Sequence, residues 1–116
     1  MRENEQLGYS ASIVARTLIL RGIEEGIRKI GDTSERATIY FIETKSGLPM
    51  DKIPSNPDKF VRTLREVFGT GSVFLLKAIV EELNAISSDD RDVLGEIRTF
   101  SKAIDKGRKA VESGRM

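Results

Sequence analysis

The sequence predicts an all-α single domain over residues 1–116, an irregular bundle of about five helices with short connections and a long C-terminal helix. Three observations carry that prediction. Apolar residues return every three or four positions through most of the chain, the period of a helix face rather than of a strand. The 3 prolines fall together, between Leu48 and Pro57, leaving helices free to run on either side. Gly31, Gly47 and Gly69 stand where apolar runs end, the position at which helix C-termini favour glycine. A chain of 116 residues can bury one modest core.

The first helix is expected from Ser12 to Ile30, with Ile13, Leu20, Ile23, Ile27 and Ile30 at helical spacing. Gly22 and Gly26 lie one turn apart on it, each costing about 1 kcal/mol against alanine. Either they let a neighbouring helix come close, or a strong helix simply tolerates them. The next segment, "ATIYFIE" at 37–43, is β-branched and aromatic, which favours strand by propensity. Its flanks favour helix, from Thr33 to Ser46. Asp32 and Glu35 are spaced as a capping box, and Gly47 supplies the stop. Ala37, Ile39, Tyr40, Phe41 and Ile42 should bury a broad face of this helix.

Residues 48–57 form the proline-rich connector, pinned to the core by Leu48 and Ile53. The third helix is the best signalled. Asn56 is placed as N-cap, Pro57 at N1 and Asp58 at the positive end of the dipole. Phe60, Val61, Leu64, Val67 and Phe68 make an amphipathic stripe, and Gly69 ends it. The stretch Phe68-Gly69-Thr70-Gly71-Ser72 then poses a choice between phosphate loop and helix corner. A P-loop needs a strand in front, four residues between its glycines, and a Lys-Ser/Thr pair behind. Here a helix precedes, one residue separates the glycines, and Val73 follows Ser72. A Rossmann glycine pattern also lacks its strand and third glycine. The corner reading fits. Gly69 leaves the helix with left-handed geometry, Gly71 permits the turn, and Thr70 or Ser72 caps the next helix. Phe68, Gly69, Gly71 and Ser72, with Asn56 and Pro57 upstream, are thus structural residues, and the new helix's free amides offer at most an adventitious anion site.

The fourth helix, Ser72 to Ile86, carries Val73, Leu76, Ile79, Val80, Leu83 and Ile86, widened by Phe74 and Leu75, and should be central to the core. Ser88, with Asp89, Asp90 and Asp92, opens a last helix over 88–114. Val93, Ile97, Phe100, Ile104, Gly107 and Val111 follow a heptad-like seam along it. A helix of roughly 23 residues extends about 35 Å, more than a core of this size needs. Its tail should project, pack on the first helix or meet a second chain.

Composition narrows the chemistry. Apolar residues are 39% and charged residues 32%, and the formal net charge is +1, which draws the chain to neither nucleic acid nor anionic membrane as a whole. There is no cysteine and no histidine, which removes disulfides, thiolate nucleophiles, the commonest general base and the usual zinc ligands. The polar, mixed-charge start Met1–Gln6 is unlike a secretory leader, and no apolar run approaches the roughly 20 residues that span a bilayer. A cytoplasmic protein with no membrane partner, no metal and no cofactor is expected. Glu24-Glu25, Glu81-Glu82 and Asp89-Asp90 are adjacent pairs, and helical neighbours diverge by about 100°, so none forms a dyad. Tyr40 reads as a core tyrosine with a satisfied hydroxyl rather than a proton donor. No nucleophile, base and orienter recur at a recognisable spacing. The chain is not expected to be an enzyme.

The stretches "ATIYFIE" at 37–43, "IPSNPDKF" at 53–60, "FGTGS" at 68–72 and "LLKAIVEEL" at 75–83 carry a resemblance. Across residues 19–86 the chain resembles a small archaeal family known as an output domain of two-component signalling proteins, from Nitrosopumilus-type archaea. That family places an aromatic helix, an Ile-Pro connector, a Phe-Gly-x-Gly corner and an apolar helix in this order. The resemblance implies a helical fold and a regulatory setting, with no catalytic residues to transfer. No receiver domain accompanies it here, and the helix extension at 8–18 and the long helix at 88–114 lie outside it.

The expected function is therefore a non-catalytic regulatory or protein-interaction domain, a homodimer through the first or last helix, with Val93, Ile97, Phe100 and Ile104 as the seam. The alternative is nucleic-acid binding. Beyond Ile97 the last helix holds Arg98, Lys102, Lys106, Arg108, Lys109 and Arg115 against Asp105 and Glu112, the one basic stretch of the chain.

Overall fold

The computed structural model describes residues 2–31, 35–87 and 94–114; within these, side chains are described from residue 13 onward, Leu94 excepted. They form five α-helices, α1 (Arg2–Gly31), α2 (Glu35–Ser46), α3 (Pro57–Phe68), α4 (Ser72–Ile86) and α5 (Leu94–Glu112). Short 3-10 turns at Met50–Ser55 and Gly69–Gly71 join α2 to α3 and α3 to α4. The architecture is the all-α bundle that the periodicity predicts. The proposed capping box at Asp32, the cap at Ser88, the carboxylates Asp89, Asp90 and Asp92, the seam residue Val93, and Arg115 lie outside the described residues.

α1 is the spine. Its 30 residues span about 45 Å at the rise of an α-helix, matching the molecule's long dimension of 46 Å. Ala15, Ile19, Ile23 and Ile27, four residues apart, are buried against α4 and α5. Ile13 and Ile30, expected in the core, are exposed. Ile13 points away from the Ala15–Ile27 line, and Ile30 sits where α1 runs up to the beginning of α4.

α4 is central, as expected. Leu75, Leu76, Ile79 and Leu83 are buried between α1 and α5. The two glycines of α1 decide the distance of approach. A Cβ at Gly22 would lie 2.5 Å from Cδ2 of Leu83, and one at Gly26 would lie 2.6 Å from Cγ1 of Ile79 and 2.9 Å from its backbone N and Cα. Close approach, rather than tolerance, is the reason for glycine here. Because 22 faces 83 and 26 faces 79, the two helices are antiparallel.

α5 also runs antiparallel to α4, since Ser101 donates to Oδ1 of Asn84 at 3.1 Å and Arg98 donates to the carbonyl of Ser87 at 2.9 Å. Its apolar seam turns inward. Ile97, Phe100, Ile104 and Val111 are buried in the chain's own core, with Phe100 beside Phe60 at 6.2 Å between ring centres. Gly107 continues the seam; a Cβ there would meet Val61 of α3 at 2.8 Å.

α2 is a helix and not a strand, but its buried face is narrow. Thr38, Ile42 and Ser46 form one four-residue line, while Ala37 is exposed, and Tyr40 at 63% and Phe41 at 47% are the large side chains left in solvent. The expected core tyrosine is on the opposite face, about 160° from that line. Gly47 ends α2 with φ of 71°, as its position suggested. The connector is held by Ile53, fully buried, and by Leu48 packed against the core. A further anchor is the Glu43 carboxylate, which accepts from the Met50 amide at 2.9 Å and supplies a partner at the start of the 3-10 turn.

Candidate interaction groove

The site is built outward from the corner between α3 and α4. α3 begins at Pro57 as expected, but Asn56 does not cap it with its side chain. Its Nδ2 instead donates to the Lys52 carbonyl at 2.8 Å, closing the 3-10 turn behind it, and only its backbone carbonyl serves α3, accepting from Phe60 at 3.0 Å. At the far end Gly69 has φ of 60° and ψ of −135°, a conformation that requires glycine. Gly71 does not share that need. Its φ of −63° and ψ of −19° are helical, and a Cβ there would touch nothing closer than Phe68 at 4.0 Å. Ser72 is fully buried, and its hydroxyl donates back to the Gly69 carbonyl at 2.8 Å rather than accepting from α4's first turn. The corner is thus held by one glycine and one serine.

This corner forms a wall of an apolar groove. Ile27, Ile30, Thr38, Phe68, Phe74 and Leu75, together with Gly31 and Gly71, surround about 490 Å³ at the meeting of α1, α2, α3 and α4. Three of the walls are hydrophobes left open to solvent: Phe74 at 69%, Ile30 at 58% and Phe68 at 38%. Phe41 follows Thr38 by three residues on the same side of α2, and its ring meets Tyr40 edge-on at 5.8 Å. By residue type and spacing Ile30, Phe68 and Phe74 belong to the apolar stripes of their helices, yet all three are exposed. For Phe74 the helical wheel holds the signal, because it lies about 180° from the centre of the line through Ser72, Leu76 and Leu83.

Two cations beside the groove, Arg28 and Lys29, have carboxylate partners within the chain. Arg28 donates to both carboxylate oxygens of Glu35, at 3.1 and 3.3 Å, and also pairs with Glu25, tying the end of α1 to the start of α2. The hydrogen bond it donates to Glu35 and the charge of Glu25 hold its guanidinium above the ordinary value. Lys29 pairs with Glu82, whose hydrogen bond and charge raise the ammonium likewise. A larger groove, about 610 Å³, lies between α1, the Met50–Ser55 turn and α5, with Arg16, Pro54, Pro57, Glu96 and Thr99 in its walls. It has no exposed aromatic side chain, so the smaller groove is the stronger candidate.

The basic residues of α5 do not form one free face. Arg98 is bound to the Ser87 carbonyl, and Arg108 is mostly buried between Asp105 at 2.8 Å and Glu112 at 3.3 Å. Lys109 stands 3.6 Å from Asp105. Lys102 and Lys106 are exposed one turn apart. The seam of Ile97, Phe100 and Ile104 is occupied by α3 and α4 and presents nothing to a partner. Among the described residues no cluster of three carboxylates is disposed to hold a metal ion, and no helix is long and apolar enough to cross a membrane. No family model, curated protein or solved structure matches the chain.

Proposed function

We propose that this chain is a non-catalytic regulatory or protein-interaction module, and that its working surface is the groove beneath the α3–α4 corner. The observation that carries the reading is Phe74. A phenylalanine 69% exposed at the lip of a 490 Å³ apolar groove is surface that water solvates poorly and that a partner's apolar side chains would cover. The groove also has what a binding surface needs from its scaffold. Its walls rest on α1 and α4, brought close by Gly22 and Gly26, and its neighbours Arg28 and Lys29 have carboxylate partners in the chain. A signalling output module in the cytoplasm is the setting in keeping with the resemblance across residues 19–86.

An environment-sensitive apolar dye tests the reading. Anilinonaphthalene sulfonate added to the folded chain, diluted until it sediments as a monomer, should gain fluorescence, and Phe74→Glu should remove most of that gain with the helical circular dichroism unchanged. Dye binding that ignores Phe74, or none at all, would overturn it. The nucleic-acid alternative has less to stand on, because internal partners engage Arg98, Arg108 and Lys109. It requires Lys102 and Lys106 to retain DNA at low salt.

A further inference from the structure

Resting on that reading, we infer that the occupant of the groove is a second copy of this chain, docked about a two-fold axis. The first argument is area. Large apolar side chains expose roughly 150–250 Å² each when free. At their fractional exposures Ile30, Phe68 and Phe74, which all line the groove, therefore offer about 300 Å² of apolar surface. One face of a standard interface covers about 800 Å², and a homodimer face is about 65% apolar. The groove and its rim thus supply most of the apolar share that a stable dimer needs, before the stems of neighbouring polar residues are counted.

The second argument is shape. A two-fold contact requires one patch to be complementary to itself. Here the projecting ring of Phe74 and the hollow bounded by Ile27, Thr38 and Leu75 belong to the same patch. Rotation by 180° sets each copy's projection against the other's hollow. A lone ridge or a lone hollow would need a different partner.

The third argument is charge. The chain carries a net +1, so two copies repel only weakly. Arg28 and Lys29, which flank the groove wall in sequence, already have carboxylate partners. Farther along α4, Lys77 and Glu81 are exposed beyond Phe74, one turn apart and of opposite sign, so between them they add no net charge against a second copy. An acidic or basic partner would find no complementary field here; an identical, near-neutral surface meets no penalty.

Sedimentation equilibrium of the full chain over a wide concentration range tests the inference. The expected species has twice the 12.9 kDa chain mass. Phe74→Glu and Ile30→Glu should each weaken association at least tenfold with unchanged circular dichroism, whereas Tyr40→Glu, on the far face of α2, should leave it intact. The chain has no native cysteine, so Lys77→Cys carries a single nitroxide, and dipolar coupling between copies should appear in that variant. A dimer that survives both groove substitutions overturns the inference, as does a wild-type chain that stays monomeric throughout. In that second case Phe74-dependent dye binding separates the two ideas. Its presence keeps the groove as a site for a different protein, and its absence removes both.

Discussion

Replacing Gly26 with alanine sets two effects on α1 against each other. Helix propensity favours the change by about 1 kcal/mol. Packing opposes it, because the new methyl would lie 2.9 Å from the backbone N and Cα of Ile79 and 2.6 Å from its Cγ1. Carbon atoms pack at about 3.5–4.0 Å, so α1 must withdraw from α4 by roughly 0.6–1 Å. A rotamer change at Ile79 cannot relieve this, since two of the three overlapping atoms are backbone. Withdrawal loosens Ile19, Ile23, Ile27, Leu76 and Leu83 together; overpacking of this kind costs about 1–3 kcal/mol, towards the upper end where backbone atoms overlap, and the propensity gain offsets about 1 kcal/mol of it. A net loss of about 1–2 kcal/mol is expected. With an unfolding entropy of about 2.1 cal/mol/K per residue, that is a fall in Tm of about 4–8 °C for a chain of this length. Thermal unfolding followed by circular dichroism or calorimetry measures it. Ile79→Ala, a core truncation, costs about 2–5 kcal/mol by itself; in that background Gly26→Ala should cost less than in the wild type but still something, because the backbone overlap remains. A Gly26→Ala chain that melts at or above the wild-type temperature would refute the close approach of α1 to α4.

Other substitutions separate the parts of the fold. At the corner, Gly69→Ala should destabilise by about 1–3 kcal/mol through its positive φ, while Gly71→Ala should be neutral or slightly stabilising; equal losses in chemical denaturation would contradict the assigned backbone. Glu43→Ala leaves the Met50 amide without its partner and should cost about 1 kcal/mol, with Glu43→Gln recovering part of it, again read from denaturation midpoints. Phe100→Asp should abolish cooperative unfolding rather than release a dimer, since it places a carboxylate against Phe60 in the core; a folded monomer with native-like Tm would show that α5's seam faces outward.

Much of the fold is legible in the chain because its signals are periodic. The Ile97, Phe100, Ile104 and Val111 line marks the buried face of α5, and Pro57 and Gly69 mark the ends of α3 within a residue. The helix over 37–43 is legible only through its flanks, since β-branched and aromatic propensity is weaker than the packing of Thr38, Ile42 and Ser46. The finer errors share one cause. Propensity says that Asn56 belongs near a helix start, but not that a 3-10 turn behind it would claim the side chain. The Phe-Gly-x-Gly pattern suggests two conformational glycines, although only Gly69 has a backbone that needs one. The candidate groove was hidden because apolarity alone does not separate a core residue from an exposed one. Ile30, Phe68 and Phe74 have the residue types of a core, and their exposure follows from where α1, α3 and α4 end against one another.

The glycine notches of α1 also fix how the helix pair can move. Slipping α1 one turn in either direction would leave Leu83 facing Gly26 while Ile79 met Ile30, or leave Ile79 facing Gly22 while Leu83 met Leu18. Each slip fills one notch and crowds two branched side chains at the other, so the pair has a single register and works as a strut rather than a piston. Anything sensed at one end of the molecule can reach the other only by swinging that strut as a whole, or by rearranging the shorter helices hung from it.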